Sequence, residues 1–460
     1  MAIDRIIKNG SVAGPEGFRR LDVLIGGDRI IGLATPETVQ ATNAEVIDAS
    51  DHLVLPGMVD VHVHTREPGY THKEDLITCT QAAAAGGVTT IFGMPNLDPP
   101  TVTRQDLDQV LDLYGQKSLV DFNHNPAATR LEEIEALAQG GIAAFKIYMV
   151  VDTGRSYPHP SGTGMHDHGH LLQAMRAVAT TGLPLMVHPH DQGIMTALEK
   201  EWWAKGDRSP QAYAKTLAAY DGVIWDTAIG VLLRLVEATG CRLHIVHTQT
   251  RRSIEMIREA KRRGLPVTCE VNHWALFLAT WDDVERLGPY ALSYWVPDDA
   301  RAAIWEGVAD GTIDLLASDH APHTRQEKEI GWKDTWASHT GTPGIQYQLP
   351  LMIDAARRGL LTVERVVELT AGAPARTFGL RNKGAVVVGA DADLVLVDPE
   401  QRWRISNEGV LSRCGWTPYD GREITGAVTR TLVRGADVFV DGAVVGQPGF
   451  GQQVIPDRVS

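Results

Sequence analysis

Apolar positions change their spacing twice along this chain. In the middle, short unbroken apolar runs recur at residues 89–94, 143–148, 184–188 and 242–247. Runs of that length without polar alternation read as strands buried on both faces, as in a parallel sheet. Stretches with helical spacing lie between them, for example 131–137 and 253–258. Repeated βα units over this span predict a (β/α)8 TIM-like barrel at residues 56–384 rather than a doubly wound sheet. The two ends look different. Residues 5–10 and 22–27 at the front, and 393–398 and 432–435 at the back, read as short strands with tight turns. The Asn9-Gly10 and Gly26-Gly27 steps fit hairpins. Two β-rich ends around a different middle predict one small β-sandwich domain built from both termini, 1–55 plus 385–460. The fold class expected is therefore α/β, a barrel with a β-sandwich.

Composition narrows the partners. The chain has 460 residues, 43% hydrophobic and 22% charged, and carries a formal net charge of -14. An acidic surface argues against nucleic-acid or anionic-membrane partners, which demand a basic face. No apolar run approaches the roughly 20 residues of a membrane span. The N-terminal residues lack the apolar core of a secretory signal. Cys79, Cys241, Cys269 and Cys414 lie far apart with no CxxC spacing, which reads as reduced thiols in the cytosol. The expected partner is a small-molecule substrate, and the expected assembly a homo-oligomer, dimer or tetramer.

The candidate chemistry sits where the apolar runs end. Asp60-Val61-His62-Val63-His64 closes one run. Two histidines two residues apart on a strand point to the same side and make a divalent-metal half-site. Lys146, His188, His247 and Asp319 each end or closely follow a later run. A lone histidine is more often a hydrogen-bonded core or surface residue, and there are 17 here; chance does not place one at the end of successive strands. Imidazole and carboxylate without thiolate suit zinc, with manganese, cobalt or iron as alternatives. A buried lysine has a depressed pKa and reacts as a free amine. Addition of carbon dioxide would turn Lys146 into an anion able to bridge two metals. Asp319 reads as a metal-side carboxylate and general base.

The motifs Pro56-Gly57-Met58-Val59-Asp60-Val61-His62-Val63-His64, Ala83-Ala84-Ala85-Gly86-Gly87-Val88-Thr89-Thr90 and Val388-Gly389-Ala390-Asp391-Ala392-Asp393-Leu394-Val395 resemble the cyclic amidohydrolases, the group containing dihydroorotases, allantoinases and hydantoinases. The resemblance implies a metal-bearing barrel with a terminal β-sandwich. It implies two divalent ions, one held by His62, His64, Lys146 and Asp319, the other by Lys146, His188 and His247, with Lys146 carboxylated and bridging. It implies attack of a metal-bridging hydroxide on a ring amide carbonyl, with Asp319 moving the proton to the leaving nitrogen.

The ring itself is argued from fewer residues. His64-Thr65-Arg66-Glu67-Pro68-Gly69, Met94-Pro95-Asn96 and Ala321-Pro322-His323 resemble the dihydroorotase pattern. There the equivalents of Arg66, Asn96 and His323 would hold a substrate carboxylate. Other positions depart from it. Asn272-His273-Trp274 follows Glu270 where a Pro-His-His run is usual, and Tyr294 and Trp295 occupy a loop that would reshape the pocket. Lys146 itself, where many bacterial dihydroorotases have aspartate, leans towards hydantoinase or allantoinase. So does the stretch 329–336, which resembles L-hydantoinases, although Val151 stands where D-hydantoinases have a tyrosine. The expected substrate is a carboxylate-bearing ring such as dihydroorotate, with hydantoin-type rings as the alternative and a non-catalytic scaffold as the remote one. The segment 157–170, with His159, His166, His168 and His170, reads as a solvated loop, with a third metal site or a lid as alternatives.

Overall fold

A computed structural model describes residues 2–39, 43–150, 162–291 and 299–457. Strands β1 (Arg5–Gly14), β2 (Gly17–Gly26), β3 (Arg29–Ala34), β4 (Glu45–Asp48) and β5 (Leu53–Pro56) open the chain. Eight further strands follow: β6 (Met58–Val63), β7 (Val88–Gly93), β8 (Asp121–His124), β9 (Phe145–Tyr148), β10 (Leu185–His188), β11 (Leu243–Ile245), β12 (Val267–Asn272) and β13 (Leu315–Ala317). The tail supplies β14 (Leu394–Arg404), β15 (Glu423–Val433), β16 (Ala436–Val440) and β17 (Ala443–Val444).

Strands β6 to β8 pair in parallel, as do β9 to β13. Two parallel bridges join these arcs into a ring, Ala127 with Lys146 and Val63 with His320. The second is reinforced by the His64 amide donating to the His320 carbonyl at 2.8 Å. Eight parallel strands thus close as a barrel, with helices such as Arg104–Lys117, His168–Thr181 and Arg251–Arg262 between them.

The two chain ends share one nine-stranded sheet, because β5 pairs antiparallel with β14. Period two divides β14 between two cores. Leu394 and Leu396 pack with Ile7, Val23 and Val54, whereas Val395 and Val397 pack in the large core that covers the barrel's outside. Lys383 ties the two parts together, its ammonium lying 2.6 Å from Asp121 at the start of β8 and 2.5 Å from Asp393 just before β14. One of the two predicted turns is absent. Gly26-Gly27 does connect β2 to β3, but Asn9-Gly10 lies inside β1 at a register shift. Asn9 takes φ 63° there, and a Cβ on Gly10 would come within 2.4 Å of Val54 Cγ2. The pair signals a bulge under a packed strand, a use of Asn-Gly that local pattern does not separate from a hairpin. No single helix among the described residues is long and apolar enough to cross a membrane.

Two buried histidines make the fold sensitive to acid. His124 Nε2 meets Thr101 Oγ1 at 2.9 Å, and His273 Nδ1 meets the Tyr419 hydroxyl at 2.5 Å. Burial pushes both rings down to about 3, against about 6.5 in an unfolded chain. Unfolding therefore takes up a proton at each between those values, so stability is lost as pH falls below about 6.5. The limiting slope is about 1.4 kcal/mol per pH unit for each ring. The urea midpoint should drop between about pH 7 and about pH 5, and His124→Gln should flatten that drop. An equal drop in the variant would show that His124 carries none of it.

Candidate active site

Every strand-end residue singled out in the sequence arrives on one face of the barrel. His62 lies in β6 and His64 just beyond it, Lys146 lies in β9, and His188 closes β10. His247 and Asp319 each follow their strand by two residues. Alternation explains the inward aim. Phe145 and Ile147, like Leu185 and Val187, pack in the large outer core, which leaves Lys146 and His188 on the inner side. All six are buried. Three site residues take left-handed backbone, with φ 38° at His247, 46° at Asp319 and 61° at Arg66. Such strain in non-glycine residues costs roughly 1–3 kcal/mol and gathers at functional sites.

Proton positions decide what the centre can hold. His64 Nδ1 lies 2.7 Å from Asn96 Oδ1, an amide oxygen that only accepts, so the ring proton sits on Nδ1. His62 Nδ1 lies 2.6 Å from Glu270 Oε1. Burial raises the Glu270 carboxyl, but His62 and His244 outweigh it and hold the group well below its ordinary range. Glu270 is thus an acceptor, and the His62 proton also sits on Nδ1. Both Nε2 lone pairs then face one oxygen, Asp319 Oδ1, at 3.3 Å from His62 and 3.2 Å from His64. His64, pushed down to about 4 chiefly by burial, stays neutral near pH 7. For Asp319, burial raises the carboxyl but His62, His64 and His247 more than offset it, so it is an anion. Three electron-rich atoms converging on one point favour positive charge among them, which the nearby Lys146 amine supplies only in its protonated form. One ligand atom from each of His62, His64 and Asp319 lies within 4.8 Å of the others. This donor set fits a divalent metal.

The second half of the cluster lies beside it. His247 Nε2 is 2.9 Å from His188 Nδ1, and the His62 and His247 ring centroids are 6.0 Å apart. Lys146 Nζ is 3.4 Å from His62 Nε2. Burial pushes this lysine down to about 8, against the pull of Glu270 and Asp319. About a tenth is then free amine at pH 7, far more than for an ordinary lysine, and that is the form that adds to carbon dioxide.

The residues expected to hold a substrate carboxylate fall in different places. Arg66 and Asn96 line the cavity above the cluster, with Tyr148, Ala321, Thr340 and Gly341. Asn96 Oδ1 is committed to His64. His323 lies behind Arg66. Lys73 Nζ donates to its Nδ1 at 3.2 Å, which places the ring proton on Nε2, and this donates to the Thr340 carbonyl at 2.7 Å. Arg66 is held by its Nε donating to the Pro322 carbonyl at 3.2 Å, with its terminal nitrogen 3.1 Å from His323 Nε2. His323 therefore holds the Thr340 wall, its Nε2 proton being spent there, and the Pro322 carbonyl is what holds the arginine.

Sequence reasoning named neither Tyr148 nor the Thr340-Gly341 wall as site residues. Tyr148 was within reach, since it stands two residues after Lys146 and shares its side of β9. The wall carries no strand-end signal at all. A further grouping, His323, Glu327 and His339, has metal-like spacing. Lys73 Nζ, however, sits 2.9 Å from Glu327 Oε1 and 3.2 Å from His323 Nδ1, so a side-chain cation already serves it. Of the histidine-rich segment 157–170, residues 157–161 lie outside the described residues, and so do Val151, Tyr294 and Trp295. His166 and His168 are exposed, and His168 opens the helix His168–Thr181.

Relatives agree with this geometry. The chain is 33% identical to a dihydroorotase from Methanosarcina acetivorans over 97% of this chain and 94% of that one. It is 35% identical to an allantoinase from Rubrobacter xylanophilus, over 99% and 98%. The solved structure of an L-hydantoinase (dihydropyrimidinase) from Arthrobacter aurescens superposes with TM-score 0.93 at 32% identity, covering 98% of this chain and all of that one. The model of the amidohydrolase family matches residues 53–438, and with a closed eight-stranded barrel, a sheet from both termini and a histidine–aspartate cluster at the strand ends, the chain belongs to that family.

Proposed function

We propose that this protein hydrolyses a carbon–nitrogen bond of a cyclic amide whose ring carries a carboxylate, as in dihydroorotate. The observation that carries the ring assignment is Arg66. It is a buried guanidinium on strained backbone in the cavity wall, braced from behind and close to the cluster. Its planar fork suits a carboxylate. Relatives that act on such rings support the reaction class. Hydantoin-type rings are the second reading, favoured by the likeness to the L-hydantoinase structure.

In this proposal His62, His64, Lys146 and Asp319 hold one divalent ion, and Lys146, His188 and His247 the other, with zinc the first choice and Lys146 carboxylated. Bound metal ions supply hydroxide at neutral pH and polarise a carbonyl oxygen. Asp319 accepts a proton at a carboxylate oxygen and delivers it to the departing ring nitrogen. Arg66, with Asn96, orients the ring so that its carbonyl faces the cluster. The division into residues 1–55 plus 385–460 and 56–384, a homo-oligomeric state and a cytosolic location complete the proposal. The four buried free cysteines are compatible with a reducing compartment.

Zinc- or manganese-loaded protein should be offered dihydroorotate, hydantoin, 5-substituted hydantoins, allantoin, dihydrouracil and succinimide. Opening of the carboxylated ring is expected. Opening of neutral rings alone would sink the ring assignment, and no opening at full metal occupancy would sink the reaction class. Arg66→Met should lower kcat/KM on the carboxylated ring about 10- to 100-fold, the loss of one charge-assisted pair. Neutral rings should barely respond. Equal losses on both would remove the carboxylate from the argument.

A further inference from the structure

Below the cluster, inside the barrel, three polar side chains lie where an apolar core is the ordinary filling. Leu243 and Ile245 of β11, and Cys269 and Val271 of β12, pack in the outer core. Alternation therefore turns His244 inward, and Glu270 with it. Both are fully buried. His244 and Thr268 are direct partners in the β11–β12 register.

Their hydrogen bonds run in one line towards His62. Glu270 gives one carboxylate oxygen to His62 Nδ1 at 2.6 Å and the other to His244 Nε2 at 3.1 Å. An ionised carboxylate only accepts, so both imidazoles donate to it. The Nε2 proton of His244 is then given to Glu270, and its Nδ1 shares a hydrogen bond of 2.8 Å with the Thr268 hydroxyl. Phe378 packs edge-on against the His244 ring, with centroids 5.4 Å apart, and keeps it from turning. Every polar atom of the three-residue chain has a use, and its far end is His62 Nδ1. Filling these positions with apolar residues of like volume would avoid the cost of burying a carboxylate. A chain of this kind is retained where it orients something.

We infer that Thr268, His244 and Glu270 form a positioning chain that fixes the tautomer and ring plane of His62, so that its Nε2 lone pair is presented to the metal centre. His244 touches neither metal nor substrate, and it acts through Glu270 and His62. The inference rests on the proposed metal centre and is indifferent to which ring is opened. His64 is held differently, by the neutral amide of Asn96. The two strand-end histidines thus differ in the charge behind them, and a carboxylate behind His62 raises its basicity as a ligand.

Zinc affinity measured by competition with a coloured chelator tests the chain without any substrate. Tight binding to the unaltered protein comes first, and its absence would defeat the metal reading itself rather than the chain. His244→Phe, which fills the space but donates nothing to Glu270, should weaken zinc about 10- to 100-fold. His244→Gln, whose amide can donate to Glu270, should recover most of that affinity. Thr268→Val should weaken zinc less than His244→Phe. Cobalt-loaded His244→Phe should show a changed visible spectrum, reporting an altered His62 ligand. A merely structural His244 would lower the melting temperature while leaving the affinity and cobalt spectrum of the folded variant unchanged, and that result overturns the inference. If His244→Phe does not fold, Thr268→Val decides it. Affinity and spectrum identical to those of the unaltered protein, alongside lowered stability, would equally overturn it.

Discussion

Lys146→Ala will lose bound metal and turnover together. The lysine is fully buried in β9 with its amine 3.4 Å from His62 Nε2, and burial brings its pKa down to about 8. In the proposed centre the free amine would form a nitrogen–carbon bond to carbon dioxide and release one proton, giving a carbamate with two oxygens. That anion is what the cluster lacks on the side of His188 and His247, where imidazoles alone carry no charge to balance a second cation. Alanine removes both the anion and the reach. Activity should fall by at least about 10³-fold, the scale of losing several kcal/mol of metal-supplied charge stabilisation. Metal content should fall from two ions towards one, measured by elemental analysis of the folded variant. Short carboxylic acids that fit the vacated space should restore part of both. Growth of the unaltered protein with carbon-labelled bicarbonate should give a carbamate signal in the carbon NMR spectrum. Unchanged metal content in Lys146→Ala would refute the bridging role.

Asp319→Asn separates proton transfer from metal binding. Asparagine keeps an oxygen near His62 and His64 but carries no charge and accepts no proton. The three histidines around Asp319 hold it ionised despite burial, so in the unaltered protein its carboxylate carries no proton of its own across the neutral range. The variant should retain much of its metal and lose about 10²- to 10⁴-fold in kcat, the usual share of a positioned general base. KM should move far less. A variant with near-normal kcat would assign the proton to another group, and one that binds no metal would recast Asp319 as a ligand first. Exposing the metal-free protein to pH below about 5 should also weaken it, because burial holds His247 down to about 3 and unfolding lets it charge.

Strand-end chemistry was legible because period two and strand length are local properties. His62 and His64 share a side through spacing alone, and each later candidate ligand ends or follows an apolar run that the barrel makes a strand. The closing of the ring was legible only as repeated units. The bridges at Ala127 with Lys146 and at Val63 with His320 join residues far apart in sequence, and no pattern marks them. Asn96 and His323 show the limit for site residues. Both stand near the cavity, yet Asn96 spends its oxygen on His64 and His323 spends its nitrogens on Lys73 and Thr340. A residue type says what a side chain can bond, and its neighbours decide which bond it makes.

The order of residues was enough to establish a barrel of βα units, β-rich ends that meet, and six candidate ligands at strand termini, since each of these follows from spacing within a few residues. Tertiary structure alone decided that two imidazole lone pairs and a carboxylate oxygen face one point, and that Glu270 and His244 stand beneath His62. It alone placed a guanidinium on left-handed backbone in the cavity wall. Those features depend on hydrogen bonds between strands and loops tens to hundreds of residues apart, where burial leaves each polar atom to find its partner among whatever the fold brings near.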